Sequence, residues 1–337
     1  MSTIAGYFDE TILNDIRVRA AKIRFDDRVK QQYVANYDVI KAIKAVETAK
    51  VYTSKARSKE VDVEVIWQNV CGQTVEDNTT CVIGGTKSST NIEEYALTYE
   101  KKVGFSEDEA DFDDNEFDIQ EAIAKQFLVA DKNITENFAQ YCVSQIEAFR
   151  GWNTLADGKG NVVGAETYIA PSYWNASLVA YFQRAAIINQ FTSPVFLSGN
   201  NLYEQQFVAQ ANAANANGKG DAILYNKLRM YFDLFNIDTV NDPDLKTYML
   251  STGSLALAHR AMNPKNVEVV NGVFSRWQMK SEYLPFYYDV FYEPECTTDD
   301  RVQHNFKIKL NADLFLNPTG CDDNNSGVLS FTCGDAP

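Results

Sequence analysis

Residues 119–151 read IQEAIAKQFLVADKNITENFAQYCVSQIEAFRG, and their spacing decides the fold. Ile119, Ile123, Phe127, Ala130, Ile134, Phe138, Tyr141, Cys142, Ile146 and Phe149 recur mostly at three- or four-residue intervals, which puts them on one helical face. No Gly or Pro intervenes before Gly151, which stands where a helix C-cap belongs. The pattern predicts a single helix of some thirty residues, ~45 Å long at 1.5 Å per residue, with Asn133 as a point where it could bend or restart. Such a helix is longer than a small globular domain is wide.

The residues leading into it carry their own signal. Positions 106–118 hold 8 acids in 13 residues. A calcium loop of the EF-hand kind starting at Asp111 needs Gly sixth and Glu twelfth, but Glu116 and Ala122 stand there. Acids at a helix N-terminus are stabilised by the macrodipole, each by ~0.3–1 kcal/mol, so the run reads as a helix entrance.

β structure flanks the helix on both sides. Val61, Val63 and Val65 alternate with Asp62, Glu64 and Ile66 before Trp67, a period-two strand. A second run at 92–103 places Tyr95, Leu97, Tyr99 and Val103 on one face, broken by Lys101. Two such strands across a polar loop make an extended hairpin with little core of its own, which needs a partner surface. Near the C-terminus Phe306, Ile308, Leu310, Ala312, Leu314 and Leu316 alternate with Asn305, Lys307, Lys309, Asn311 and Asp313, and Phe315 is the exception. That predicts a strand of about a dozen residues, ~36 Å or more, where five or six residues are usual. Pro318-Thr319-Gly320 ends it, and the tail from Cys321 is polar.

Between helix and long strand, residues 173–270 read as compact α/β. Helices are expected at 173–190, 202–211 and 254–262, strands at 194–199, 231–237, 247–250 and 267–270, and a loop at 212–221. Strands are expected again at 273–279 and 285–291.

Charge is unevenly spread. Residues 1–60 carry 12 Lys or Arg against 8 Asp or Glu, a net +4, which with −15 overall leaves −19 on the other 277 residues. A basic arm on an acidic body suggests an arm lying on a neighbouring copy, with a solvated helical face as the alternative. The overall balance disfavours a grip on nucleic acid or on anionic membranes, both of which need clustered cations. With 45% hydrophobic residues, 20 Phe and 18 Tyr among 337 residues, a core is assured. No run of ~18 apolar residues suits a membrane helix. The first ten residues lack a basic start and an apolar run, so a cytoplasmic origin is expected. Six cysteines are too sparse for a disulfide scaffold and are read as reduced thiols.

Signatures of chemistry fail one by one. The two histidines, His259 and His304, lie far apart, and each reads as structural. No Gly-x-Ser-x-Gly elbow and no Cys-x-x-Cys pair occurs. Gly84-Gly85-Thr86-Lys87-Ser88-Ser89 lacks the Gly before Lys87 that a phosphate loop requires, and Lys219 has no Ser or Thr after it. Catalytic residues: none expected; cofactor-binding: none; metal: none.

In order, the parts are a basic arm, an extended hairpin, an acidic turn, a long helix, a compact α/β lobe and one very long strand. This layout resembles the HK97-type major capsid protein of tailed phages. The resemblance implies an α+β, HK97-like capsid fold with N-arm, extended β-hairpin (E-loop), long spine helix, peripheral (P) domain with long strands, and α/β axial (A) domain. The corresponding pieces are 61–103 for the E-loop, 118–150 for the spine, 173–270 for the A-domain and 303–316 for the long strand. The domain limits that follow are 1–55 for the arm, 56–105 for the hairpin, 106–172 for the P-domain with its spine, 173–285 for the A-domain, and 286–337 for the return strands and tail. The family implies a non-enzymatic shell protein that assembles with itself into hexamers and pentamers of an icosahedral or prolate shell in the host cytoplasm. It also implies a portal, a scaffold and other virion proteins as partners, and enclosure of double-stranded DNA without sequence-specific binding. No membrane partner is implied. With little chain before residue 61, the scaffold is expected to be a separate protein or already removed. An encapsulin-type shell, a tail or decoration protein, and an unrecognised enzyme are the alternatives.

Overall fold

The computed structural model describes residues 18, 34–53, 62–69, 89–112, 119–155, 159–174, 178–199, 202, 222–225, 228–240, 246–270, 274–296, 301–318 and 326–336. In chain order the elements are α1 (Asp38–Val46), β1 (Lys50–Tyr52), β2 (Val63–Asn69), β3 (Ser89–Tyr95), β4 (Tyr99–Asp108), a 3₁₀ turn (Glu109–Phe112) and α2 (Ile119–Ala148). There follow β5 (Gly160–Val163), β6 (Glu166–Ile169), α3 (Leu178–Ile188), β7 (Val195–Ser198), β8 (Ala222–Tyr225), β9 (Leu228–Phe232), α4 (Leu234–Val240) and β10 (Lys246–Leu250). The rest is β: β11 (Leu255–His259), β12 (Glu268–Val270), β13 (Phe274–Lys280), β14 (Tyr287–Cys296), β15 (Val302–Leu316) and β16 (Val328–Cys333).

The chain divides into two compact units, with the divisions falling inside α2, after Phe138, and inside β15, after Asp313. The first unit, built from 97–138 and 259–313 with the residues before 37, packs the first two-thirds of α2 on strands in the order β15-β14-β13-β12, with β4 also paired to β15; β11 belongs to the second unit except for His259. Phe127 meets Phe105 and Phe306 edge-on at 5.0 and 5.2 Å, and Phe138 meets Tyr99 and Phe286 at 5.0 and 5.8 Å. Aromatic pairs in these geometries contribute ~0.5–1.5 kcal/mol each beyond the area they bury.

The second unit, built from 37–96, 139–258 and 314–337, holds two sheets. The larger runs β5-β6-β16-β10-β7-β9-β8. Phe182 of α3 packs on it against Phe196 and Phe331, at 5.2 and 4.8 Å. The smaller, β1-β2-β3, contains the hairpin, with Val63 opposite Tyr95 and Asn69 opposite Ser89. Gly327 (φ +75°) needs the left-handed region, and a Cβ there would stand 2.7 Å from the Cβ of Ser254.

The thirty-residue helix forms as its periodicity predicts and continues through Asn133. It ends at Ala148, and Gly151 serves by donating its N–H to the Val328 carbonyl at 2.8 Å. Its burial is wider than the apolar stripe: Ala124, Leu128, Asp131, Thr135, Ala139 and Val143 are buried too, and only 133, 137, 144 and 148 are exposed. Burial within the chain therefore extends round most of the helix. The long strand forms at 15 residues, longer than expected. Its end is buried on both faces, so period-two alternation stops at Leu310.

Several expectations are corrected. Within 254–262, where a helix was expected, Leu255–His259 form strand β11: Leu255–Ala258 are buried on both faces, and sheet pairing outweighs the helix propensity of Leu and Ala. Strand β9 ends at Phe232 and α4 begins at Leu234, because Asp233 caps it by accepting the Asn236 N–H at 2.9 Å. The run 92–103 is two strands in two sheets, divided at Leu97-Thr98, where Thr98 is tied through its N–H and hydroxyl to Asp313 at 2.9 and 2.7 Å. The polar tail contains β16, an interior strand of the seven-stranded sheet with Val328, Leu329 and Phe331 fully buried. The helix expected at 202–211, apart from Leu202, and the loop at 212–221 lie outside the described residues.

Candidate assembly surfaces

Part of the basic N-terminal segment is core. Val39, Ile40, Ala42, Ile43 and Val46 of α1 are buried, and the helix packs beside β7 and β9. The Val39 N–H donates to Asp233 Oδ2 at 3.1 Å, so one carboxylate caps α4 and anchors α1. Glu47 then accepts the Leu257 N–H at 2.8 Å. An arm free to reach a neighbour therefore cannot include 38–46. Apart from Val18 and 34–37, the residues before α1 lie outside the described ones.

The hairpin has one face inside and one outside. Val63, Val65 and Trp67 are buried, while the opposite face carries Glu64, Ile66 and their partners Glu94 and Ile92. Ile92 is 57% exposed. Glu64 faces Glu94 directly across the ladder, and like charges in that position repel. A further apolar region lies at the end of α3, where Ile187 is 74% exposed beside half-exposed Ile188. Asn189 follows them and accepts from the Thr154 N–H and hydroxyl at 3.1 and 3.0 Å, which brings exposed Trp152 to the same end of the unit.

Two polar clusters stabilise the units from within. In the first, Asp131 accepts from the Ser281 and Tyr288 hydroxyls at 2.7 and 2.6 Å, the Glu282 N–H at 2.8 Å and the Thr135 hydroxyl at 3.3 Å. Burial pushes its carboxyl above the usual range, and the hydrogen bonds from Tyr288, Glu282, Ser281 and Thr135 oppose that shift. In the second, Glu147, Arg150, Glu166 and Lys246 form an ion network in which Tyr248 donates to Glu147 at 2.7 Å and Ser330 to Glu166 at 2.8 Å. Neither cluster was legible beforehand, since each joins residues about 100 or more positions apart, such as Lys246 and Glu147.

The groups weighed for chemistry sit apart. His259 ends β11 and stacks on Phe286 at 4.4 Å. His304 is buried at the start of β15 between Tyr292 and Glu109. Cys142 is buried and Cys296 exposed, and burial pushes the half-buried Cys333 thiol up. The Gly84–Ser89 stretch, Lys219 and the other three cysteines lie outside the described residues. Among the described residues no cluster of three metal-ligating side chains occurs, and no helix is long and apolar enough to cross a membrane.

No family model matches the chain, and neither does any curated protein. Solved structures do. The chain is similar to one from the capsid of Ralstonia phage GP4, at 10% identity, covering 92% of this chain and 91% of that one with a TM-score of 0.47. It is similar to a chain of the bacteriophage PhiM1 mature capsid, at 10% identity, 81% and 82% coverage and a TM-score of 0.44. The capsid of cyanophage P-SCSP1u contributes another, at 7% identity, 81% and 84% coverage and a TM-score of 0.43.

Proposed function

We propose that this chain is an HK97-type major capsid protein, a structural and non-enzymatic subunit of a shell that encloses double-stranded DNA. The observation that carries the reading is the hairpin sheet. Its central strand β2 buries Val63, Val65 and Trp67, and the opposite face presents an apolar Ile66–Ile92 pair, with Lys50 opposite Ile66, beside two opposed carboxylates. A face of that kind is satisfied by a cationic, partly apolar neighbour. Residues 17–30 of another copy, with six Lys or Arg against two Asp, have that chemistry. The thirty-residue helix and fifteen-residue strand supply the stiff frame on which such contacts repeat.

Many modest contacts of this kind close a shell cooperatively, since each subunit is held by several others. Hexamers and pentamers are the units this reading requires, with a portal and a scaffold as partners and the virion, assembled in host cytoplasm, as destination. A net charge of −15 suits a container from which duplex DNA slides freely. The domain limits read from sequence go with this proposal, except that the reaching arm ends before α1.

Electron microscopy of the full chain, expressed alone and then with its neighbouring genes, tests it. Closed shells or rings of five and six are expected, and monomers under every condition would overturn the reading. Shells filled with a protein cargo instead of DNA would mark an encapsulin-type compartment. Removing residues 1–36 is expected to leave a folded subunit that forms no stable shell; normal shells from that truncation would refute the arm contact.

A further inference from the structure

The sheet of the first unit turns Phe105 and Phe306 toward α2, so the residues alternating with them face away from the helix. On that outer face Lys102 of β4 stands directly opposite Lys309 of β15, and Lys307, the next outward residue of β15, stands opposite Gly104. Lys102 and Lys307 are exposed, and the Lys309 side chain is 34% exposed. Like charges directly opposite each other in a ladder are destabilising. The acids nearby do little to relieve them. Glu100 approaches Lys309 at 3.5 Å, and Asp289, paired with Lys309 from β14, already accepts the Met262 and Asn263 N–H groups at 2.8 and 2.7 Å.

Gly104 forms a bare floor beside these cations. Its φ lies outside the left-handed region, and among the described residues an added Cβ would meet the Phe306 carbonyl oxygen at 3.5 Å, an ordinary contact. The fold therefore has room for a side chain here, although glycine weakens a strand interior. A glycine of this kind marks a place where another backbone comes close. Next to the floor, half-buried Phe291 stacks on Phe274 at 5.8 Å and has the Lys307 ammonium over its ring at 4.8 Å. Three cations, an open backbone and an aromatic seat thus share one face.

The surroundings limit what fits there. Glu100, Asp108, Glu293 and Glu295 edge the same face and repel a long polyanion such as duplex DNA, whose charge runs on past the lysines. A short acidic segment with an aromatic residue matches it. Residues 113–118 read Asp-Asp-Asn-Glu-Phe-Asp. From Asp113 to Phe117 an extended chain reaches ~13 Å, and the path from Lys102 across two strand spacings to Phe291 is ~12 Å. The chain's own segment is excluded by reach. Lys102 lies ~20 Å back along β4 from Asp108, whereas Phe127 against Phe105 and Phe138 against Tyr99 show that α2 begins near the other end of that strand. Six residues between Phe112 and Ile119 cannot run out to Lys102 and return.

We propose that this face of the first unit docks residues 113–118 of a second copy, with Asp113 and Asp114 at Lys102 and Lys309, the segment's backbone over Gly104 and Phe117 against Phe291. The contact needs two copies and no shell, so it does not depend on the function proposed above.

Sedimentation of the full-length chain tests it by charge exchange. Lys102→Glu with Lys309→Glu is expected to weaken self-association about tenfold, and Asp113→Lys with Asp114→Lys by a similar factor, because each sets like charges together. Mixing the two variants restores association, since the exchanged charges match again. Gly104→Gln, which covers the floor and leaves the charges alone, weakens it too. A mixture no stronger than its parts, or native strength in either charge variant, would overturn the proposal. If the native chain stays monomeric, a labelled peptide of residues 111–118 is titrated against it. Binding that is lost when the peptide's acids become amides is expected; no binding, or binding that survives the change, would refute the contact. A DNA duplex that binds the native chain but not the Lys102→Glu, Lys309→Glu variant would make this a phosphate surface and also overturn it. If a charge variant fails to fold, Gly104→Gln and the peptide decide the question.

Discussion

Asp131 in the first unit and Glu166 in the second are buried carboxylates satisfied in opposite ways. Asp131, 2% exposed, is surrounded by neutral donors, three hydroxyls and a backbone N–H. Glu166 is nearly as buried, at 6%, but shares its charge with Arg150 and Lys246, which keep a quarter or so of their surface in water. The first arrangement works by geometry and is indifferent to salt. The second works by charge, is screened at its exposed edge and tolerates looser geometry. An isolated buried carboxylate is costly unless its lone pairs are filled, and Asp131 fills them with donors from β14, from the 281–282 loop and from its own helix.

Substitutions that separate the two modes should rank accordingly. Asp131→Ala should have the largest effect, a loss of about 3 kcal/mol, because it removes the acceptor shared by the buried Ser281 and Tyr288 hydroxyls and the Glu282 N–H. Hydrogen exchange of α2 and of 281–288 would report it, and unchanged protection there would show that water replaces the carboxylate. Glu166→Gln should cost less, about 1–2 kcal/mol after allowance for the exposure of its cations, and the deficit should shrink in about 1 M salt. A deficit independent of salt would mean that Glu166 acts through Ser330 and Thr332 alone. Tyr288→Phe should be smallest, about 1 kcal/mol and insensitive to salt, since one of four donors is lost.

Acid also divides neighbouring groups within the first unit. Burial raises the Asp131 carboxyl above 3.8, so its folded form takes up a proton more readily than the unfolded one, and its ionisation opposes folding as pH rises through the folded value. His304 has the opposite sign, and acid weakens the fold through it. Asp131→Asn removes the first contribution and leaves the second, so stability at acid pH should fall more steeply than in the native chain. A shallower fall would show that His304 does not govern acid sensitivity.

Elements whose apolar residues keep one period over many positions were legible. Helix α2 and strand β15 each present one apolar face for many residues, so the period alone identified them. Elements covered on both sides were not. Ser254-Leu255-Ala256-Leu257-Ala258 has no period to read, and its Leu and Ala favour helix until a sheet claims them. Strand β16 is six residues in a polar tail, and only its place between β6 and β10 makes it a strand. Asp131 lies off the apolar stripe, and its partners Ser281 and Glu282 are 150 or so residues away.

The amino-acid order by itself determined the long helix, the long strand, the hairpin and the uneven charge, because period and net charge are properties of neighbouring residues. Only the tertiary structure decided that residues 38–46 are core and not arm, that the tail supplies an interior strand, and that His304 lies between Tyr292 and Glu109. Such outcomes depend on which distant segment supplies the missing donor, acceptor or apolar face, and no local pattern carries that information.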